Sequence, residues 1–571
     1  MTRAEPDSVG IMAQLFAGTL DGTLIFPYPR LSADEAETVE MLVGAFREFA
    51  ARRIDSAKMD ETHEMPKEVL DGLFELGLMG LSIPEEYGGA GFSMQAYCKT
   101  FEAVGGVDAA TAVTAGAHQS IGMKALLLFG TEAQKRRYLP MLASGERLAA
   151  YALTEPGAGS DAGAIRTRAI HDPATSTFVL DGSKLWITNG GWANFYTVFA
   201  KDTVGGKEAI TAFLVEGEEI PGLTRGKPER KMGIRASNTA ELHLEGVRVP
   251  EANVLGERGK GYKVALEVLD YGRLSLGAGC VGGMKVLLRH AAAHARERRQ
   301  FGVPIGDLEM IRGKLARMAQ DIWAAESMVT LAASLVDRGV DDFSLESAIC
   351  KAFCSEAAWN SADEAMQIVG GIGYMAEYPY ERMMRDTRIN LIFEGTNEIQ
   401  RLYITLAGLK RQGEFFQEMQ KGGKMAALVE YSRYAVQKRL TTPHLLPEVH
   451  PSLSWFSARV EEWAKAFSLA ADKAIVDHGK KVVKMGFLQE RLGDAAIHLF
   501  GMIATLSRLD TLVKERGEAA CAHERALTRA WFGRAWRKVR QSLLLLEDNG
   551  DRTTSALAVR VLEDGEYRVL Q

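Results

Sequence analysis

The segment Arg385–Arg401, RDTRINLIFEGTNEIQR, sets one carboxylate, Glu394, directly after Leu391-Ile392-Phe393 and before Gly395-Thr396-Asn397. A carboxylate among apolar side chains loses hydration, which disfavours its charged form and raises its pKa. Moved from about 4.3 towards about 6–7, a glutamate serves as a general base near neutral pH. Gly395 lets a substrate lie close against the backbone beside that base. The chemistry suited to this pattern is proton abstraction in a dry pocket. A glutamate held by the dipole of a helix start fits the bare FEG triplet as well.

Three further segments carry side chains suited to a large, flat or anionic ligand. In YALTEPGAGSD, Tyr151–Asp161, the residues Gly157, Gly159 and Ser160 form a donor-rich loop able to offer backbone N–H groups to an electron-rich ring or a phosphate. A surface turn has the same composition. In KLWITNGGWANFYTVFAK, Trp186 offers an aromatic face and Thr188 a hydroxyl two residues on, the same side of a regular strand. A core tryptophan beside a turn is the alternative. ARERRQFGVPI places Arg296, Arg298 and Arg299 before Phe301-Gly302. Such runs are usually solvated, yet the guanidinium fork matches a pyrophosphate.

Other patterns lead nowhere. Gly371-Ile-Gly373-Tyr-Met-Ala376 fits the loose GxGxxG/A fingerprint, but DEAMQIV before it is helical in period and Pro379 soon interrupts the chain beyond it. The five cysteines, Cys98, Cys280, Cys350, Cys354 and Cys521, have no CxxC or zinc spacing and read as buried thiols in a reducing compartment. His290 and His294 stand among Arg and Ala with no third ligand and read as surface, so no metal is expected.

The elements that must position these side chains follow from periodicity. A chain of 571 residues should hold several domains. Its 47% apolar and 25% charged residues are those of a globular protein, and a net charge of −6 gives no reason to expect nucleic acid. Residues 1–150 are helical in pattern, with Ser32 and Glu35 spaced as a helix cap. From 151 to 261 the period becomes that of strands, with Asp181-Gly182 as a turn signal inside FVLDGSKLWIT. Helical pattern returns over 262–411. A Pro-containing connector is predicted over 412–452, and a further helical block over 453–571. This order excludes an alternating βαβ sheet. No stretch of about 18 apolar residues predicts a membrane span. The N-terminus reads as neither signal nor transit peptide, which sets the expectation of a cytoplasmic protein.

Taken together, RDTRINLIFEGTNEIQR, YALTEPGAGSD, KLWITNGG and ERRQFG closely resemble the acyl-CoA dehydrogenase family. The resemblance implies an N-terminal helical domain, a middle β-barrel and a C-terminal four-helix bundle, plus an extra C-terminal helical domain. It implies that Glu394 removes the α-proton of an acyl-CoA while FAD accepts a hydride from the β-carbon, giving a trans-2-enoyl-CoA. Tyr151, Leu153, Thr154, Gly159 and Ser160, with Trp186, Ile187 and Thr188, would line the flavin. Ser160 would also lie near the CoA. Arg298, Phe301, Gln367, Gly370, Gly371, Thr396, Asn397 and Glu398 match further cofactor contacts, several of them reaching a neighbouring subunit's FAD. Asp270, Arg273 and Gly395 match substrate contacts. The Glu394 N–H and a ribityl hydroxyl would hold the enolate oxygen, one such donor being worth roughly 2.7–4 kcal/mol.

AGAHQSIGMKALLLFGTEAQKRRYLP, KMGIRASNTAELHLEGVRVP and the C-terminal extension point to the very-long-chain branch. That branch implies a homodimer, transfer of electrons to an electron-transferring flavoprotein, and contact with a membrane surface. Asp270 departs from the asparagine expected there. The small residues of TAVTAGA, Thr111–Ala117, would leave a deep acyl tunnel. On the C-terminal block, Arg525, Arg529, Arg534, Arg537, Lys538 and Arg540 interleave with Trp531, Phe532 and Trp536, a pattern open to anionic lipid or to plain helix packing. An acyl-CoA oxidase and a flavoprotein scaffold are the alternatives.

Overall fold

The computed structural model describes residues 9–420, 436, 438, 445–447 and 449–568. These form two compact units, one from Pro27–Ile399 with the chain up to Gly10, the other from Ile11–Phe26 with Gln400 onward. Helix α1 (Ile11–Ala17) thus belongs with the C-terminal helices, although its position in sequence suggested the N-terminal domain. The reason is packing: Phe16 lies edge-on to Phe467 at 4.7 Å, and Gln412 donates to its carbonyl at 3.3 Å.

The first unit opens with α2 (Ala33–Arg53), α3 (Ser56–Thr62), α4 (Lys67–Glu75), α5 (Met94–Gly105), α6 (Ala109–Gly116), α7 (Lys124–Phe129) and α8 (Glu132–Ser144). Ser32 caps α2 as its spacing predicts, its Oγ accepting the Glu35 N–H at 3.2 Å. A π-helical turn, Ala117–Gly122, comes after α6.

The strands come next: β1 (Ala149–Ala152), β2 (Arg168–Asp172), β3 (Thr177–Thr188), β4 (Phe195–Val204), β5 (Lys207–Glu216), β6 (Leu223–Arg225), β7 (Thr239–Pro250) and β8 (Val254–Leu255). They pair in the order β6-β7-β3-β2-β4-β5-β8, with β1 beside β4. The sheet curls over one apolar core, in which Phe178 of β3 meets Phe213 of β5 at 5.0 Å. Asp181-Gly182 is not a turn. β3 runs straight through it with a bulge, at which a Cβ on Gly182 would lie 2.5 Å from Thr167 Oγ1.

Beyond the sheet run α9 (Gly261–Glu297), a hairpin of β9 (Arg299–Gln300) and β10 (Val303–Pro304), α10 (Glu309–Asp337) and α11 (Ser344–Val369). α9, α10 and α11 pack on one another, and α5 packs on α9 and α10. The unit ends with α12 (Gly371–Tyr374), α13 (Pro379–Arg388) and the start of α14 (Asn397–Gln420). The GxGxxG-like glycines therefore come after a helix, not a strand. The connector predicted over 412–452 begins as the last turns of α14, and most of the rest lies outside the described residues.

The second unit continues with α15 (Ser454–His478), α16 (Gly486–Arg516), α17 (Ala522–Leu544) and α18 (Asp551–Asp564). α16 is long and apolar enough to cross a membrane, but 83% of its most apolar stretch is buried inside the protein, as in a core helix. On α17, Trp531 and Phe532 are also buried, and the Arg529 guanidinium stacks 3.3 Å from the Trp455 ring centroid. Packing thus claims much of the aromatic half of the basic–aromatic pattern and leaves Arg537, Lys538 and Arg540 exposed.

Candidate active site

Glu394 sits in the short loop between α13 and α14, after a 3-10 turn at Ile389–Leu391. Its φ is +57° and that of Gly395 is +86°. Two successive left-handed residues reverse the chain sharply. Glycine adopts that conformation freely, whereas glutamate is strained there by about 1–3 kcal/mol, as functional residues often are. Glu394 lines a cavity of about 930 Å³. The residue as a whole is partly buried, but its Oε2 is shielded from solvent. Burial pushes its pKa up to about 7, against the pull of Arg273 and Lys351 and with a smaller push from Asp270. The pKa is thus raised as the sequence predicts, although Ile392 of the apolar run is itself exposed. The carboxylate lies against Gly272 of α9, where a Cβ would stand 3.0 Å from both oxygens and 2.8 Å from Ile121. A side chain at 272 has no room.

The loop is tied from beneath. Arg273 Nη1 bonds Asp270 Oδ1 at 2.7 Å, and its Nε reaches the Glu394 carbonyl at 3.4 Å. Ser347 Oγ donates to the Asp270 carbonyl at 2.9 Å. Burial raises the Asp270 pKa to about 6, with Arg273 pulling it down. Asp270 and Arg273, expected as substrate contacts, are themselves buried and do not line the cavity. They hold the base in place.

Lys351 is the residue that sequence reasoning missed. Its side chain is fully buried, and Nζ donates to the Gly395 carbonyl at 2.7 Å and to Asn397 Oδ1 at 2.6 Å. Desolvation lowers its pKa to about 7, while Glu394 favours its charged form. Ser347, Lys351 and Ser355 are four apart on α11, so they share the face turned to the loop. A lone lysine inside SAICKAFC was the available signal. Asn397 is correspondingly part of the support: it is buried, and its Nδ2 reaches Ser355 Oγ at 3.0 Å and Glu356 Oε1 at 3.1 Å. These bonds give its side chain a structural use beside the cofactor contact expected of it. Thr396 accepts the Ile399 N–H at 3.3 Å at the start of α14, and Glu398 is exposed.

The segments expected to bind a flat ligand lie on the β domain. A bulge between Lys184 and Ile187 breaks the alternation of β3, and Trp186 has φ +56° with 63% of its surface exposed. The shared-side argument for Trp186 and Thr188 therefore fails as a strand rule. Even so, Thr188 lines the Glu394 cavity and Trp186 keeps an open aromatic face two residues away. Ile187 and Leu153 point into the core, so their side chains are taken up by packing. Tyr151 is buried, donates to the Ala265 carbonyl at 3.1 Å, and has its pKa raised by burial and then by Glu394. Beside Thr154, a buried pair fixes the loop: Lys184 Nζ lies 2.7 Å from Glu155 Oε1, which Thr167 also approaches at 2.5 Å. Above it, Gly157 and Gly159 have open space where a side chain would stand, and Ser160 is exposed. Ala158 between the two glycines exchanges backbone hydrogen bonds with Glu155, so a fixed floor carries an exposed rim at Gly157, Gly159 and Ser160.

Arg298, Phe301, Gln367, Gly370 and Gly371 are not brought to this place. Phe301 is 90% exposed on the β9–β10 hairpin. From Gly272 to the end of α9 the helix spans about 37 Å at its ordinary rise, so Arg298 and Phe301 lie far from the base of their own chain, and α11 runs about 24 Å from Lys351, beneath the Glu394 loop, to Gln367.

Sequence and structure comparisons match the same layout. The acyl-CoA dehydrogenase N-terminal, middle and C-terminal domains match residues 36–146, 150–247 and 259–409, and the ACAD9/ACADV C-terminal domain matches 451–567. The very long-chain specific acyl-CoA dehydrogenase of Mus musculus mitochondria is 41% identical over 96% of this chain and 86% of its own. An acyl-CoA dehydrogenase from Bacillus anthracis, solved in complex with FAD, is 32% identical with a TM-score of 0.82, covering 99% of this chain and 97% of that one. Butyryl-CoA dehydrogenase from Megasphaera elsdenii, without the last unit, superposes with a TM-score of 0.64 at 39% identity, over 67% of this chain and 100% of that one. With the helical, β and helical domains and the C-terminal extension each matched by a family model, and relatives that span nearly the whole chain, the chain belongs to the acyl-CoA dehydrogenase family.

Proposed function

We propose that this protein is an FAD-dependent dehydrogenase of long and very long acyl-CoA thioesters, forming the trans-2-enoyl-CoA and passing electrons to an electron-transferring flavoprotein. The observation that carries the reading is the Glu394 carboxylate, shielded from solvent and poised near pH 7, in a cavity of about 930 Å³. The cavity wall includes Ala112, Gly116 and Ala117 from the small-residue segment Thr111–Ala117, which supports a deep acyl channel. The residues present fit FAD: Trp186 offers an open aromatic face, Thr188 a hydroxyl on the cavity wall, and Gly157, Gly159 and Ser160 an exposed rim. Bound FAD supplies the acceptor for the β-hydride. Glu394 takes the α-proton, Lys351 and Arg273 keep its loop in place, and the apolar wall excludes water so that the charge on Glu394 stays basic.

The distance along α9 between the base and the exposed Arg298–Phe301 end supports a homodimer in which that end serves the partner's cofactor. Five buried free thiols support a cytoplasmic setting. Membrane-surface contact rests on Arg537, Lys538 and Arg540, which give charge without much apolar insertion.

The test is steady-state turnover of purified holoenzyme on butyryl-, octanoyl- and palmitoyl-CoA in air, with an electron-transferring flavoprotein present. The expected result is kcat/KM rising with chain length and no hydrogen peroxide. Activity confined to butyryl-CoA would sink the chain-length reading, and peroxide equal to enoyl product would identify an oxidase instead.

A further inference from the structure

The cavity that begins at Glu394 continues along one stripe of α9, through Gly272, Ser275, Gly279, Gly283, Val286 and His290. Positions three or four apart share one face of a helix, so this is a single channel wall. From Gly272 to His290 it extends about 27 Å at the ordinary helical rise. One leaflet of acyl chains fills only about half of a 30 Å hydrocarbon core, so the channel exceeds one packed chain. Gly105 and Gly106 at the end of α5, with Ala109 and Ala112 of α6, keep the facing wall low.

The wall also carries arginines from three separate elements, Arg47 of α2, Arg289 of α9 and Arg382 of α13. Arg289 stands beside His290, at the end of the stripe remote from the base. Arg289 reaches solvent, which makes this end a second mouth. None of the three arginines forms a salt bridge or side-chain hydrogen bond among the described residues. The other ionisable groups on this wall have partners. Lys285 lies between Glu102 at 2.6 Å and Glu326 at 2.5 Å. Asp108 accepts the Thr111 N–H at 2.7 Å and Asp386 the Ile234 N–H at 2.5 Å. His290 packs edge-on to Tyr380 with ring centroids 6.1 Å apart. An apolar chain end gains nothing from guanidiniums, whereas a carboxylate matches their planar fork.

We propose that the far mouth receives a terminal carboxylate, so that long dicarboxylyl-CoA thioesters are substrates beside simple fatty acyl-CoA. This rests on reading the cavity as the acyl channel. A chain must be long enough to place its carboxylate at Arg289 and Arg382 while its α-carbon lies at Glu394. Because the arginines are partly solvated, the gain is modest, about five- to tenfold in kcat/KM.

The experiment measures kcat/KM of holoenzyme for docosanedioyl-CoA relative to docosanoyl-CoA, a chain long enough to follow the wall to Arg289, and for dodecanedioyl-CoA relative to lauroyl-CoA. The expected ratio is about fivefold higher for the longer pair, and that advantage disappears in Arg289→Gln and in Arg382→Gln. A ratio independent of length, or unmoved by both substitutions, overturns the proposal. Turnover of docosanoyl-CoA without turnover of docosanedioyl-CoA overturns the proposal alone, whereas failure to turn over palmitoyl-CoA overturns the channel reading and this proposal with it.

Discussion

Glu394→Gln lowers kcat on palmitoyl-CoA by about 10³–10⁴-fold, the upper part of the range for a general base. The amide keeps the shape of the side chain, so the channel and its support are unchanged, but it has no basic oxygen to take the α-proton. KM changes little, because the acyl chain is held by the channel wall. Stability is unchanged or raised, since replacing a buried carboxylate by a neutral amide removes a desolvation cost. Thermal melting and flavin content of the variant, measured beside turnover, separate loss of chemistry from loss of fold.

Lys351→Met lowers kcat by about a hundredfold, the effect of a base displaced by roughly 1 Å. The substitution removes the lysine donor from the Gly395 carbonyl and from Asn397 Oδ1, which keeps the Ser355 hydroxyl at 3.2 Å. The loss of stability is about 2–3 kcal/mol, seen in denaturant unfolding. A purely structural lysine would do no more than that. Lys351 also pulls the Glu394 pKa down, so without it the carboxylate becomes more basic still. The pH–rate midpoint therefore moves above about 7 in Lys351→Met. A variant with reduced kcat and an unmoved midpoint would make Lys351 a packing residue only.

The sequence reads well where one residue type has one physical use. An apolar run before Glu394 forecast a raised pKa, and burial produces it. The Ser32 cap, the helical–β–helical order and the rejected dinucleotide fingerprint were all legible from periodicity and cap spacing. Where a side chain's role depends on what packs against it, the sequence misled. Trp186 sits on a bulge that no alternation rule anticipates, and Asp181-Gly182 became a second bulge because β7 pairs along both sides of it. Asp270, Arg273 and Asn397, expected at the ligands, also give polar groups to the loop beneath Glu394, a use that their spacing did not show. Lys351 was invisible for the opposite reason. Its partners are a backbone carbonyl and an asparagine more than forty positions away, a contact that only the fold creates.

The proposed chemistry depends above all on Glu394, with a pKa near 7, acting as the base for α-proton removal. That role is tested by the rate of flavin bleaching when anaerobic holoenzyme is mixed with palmitoyl-CoA, measured from about pH 5 to pH 9. Because the base acts only when deprotonated, the wild-type rate should rise with pH through a midpoint near 7 and then level off. Glu394→Gln should bleach about 10³-fold more slowly at every pH, without that midpoint. Bleaching of the variant at the wild-type rate, or a wild-type profile flat across this range, would show that Glu394 is not the base.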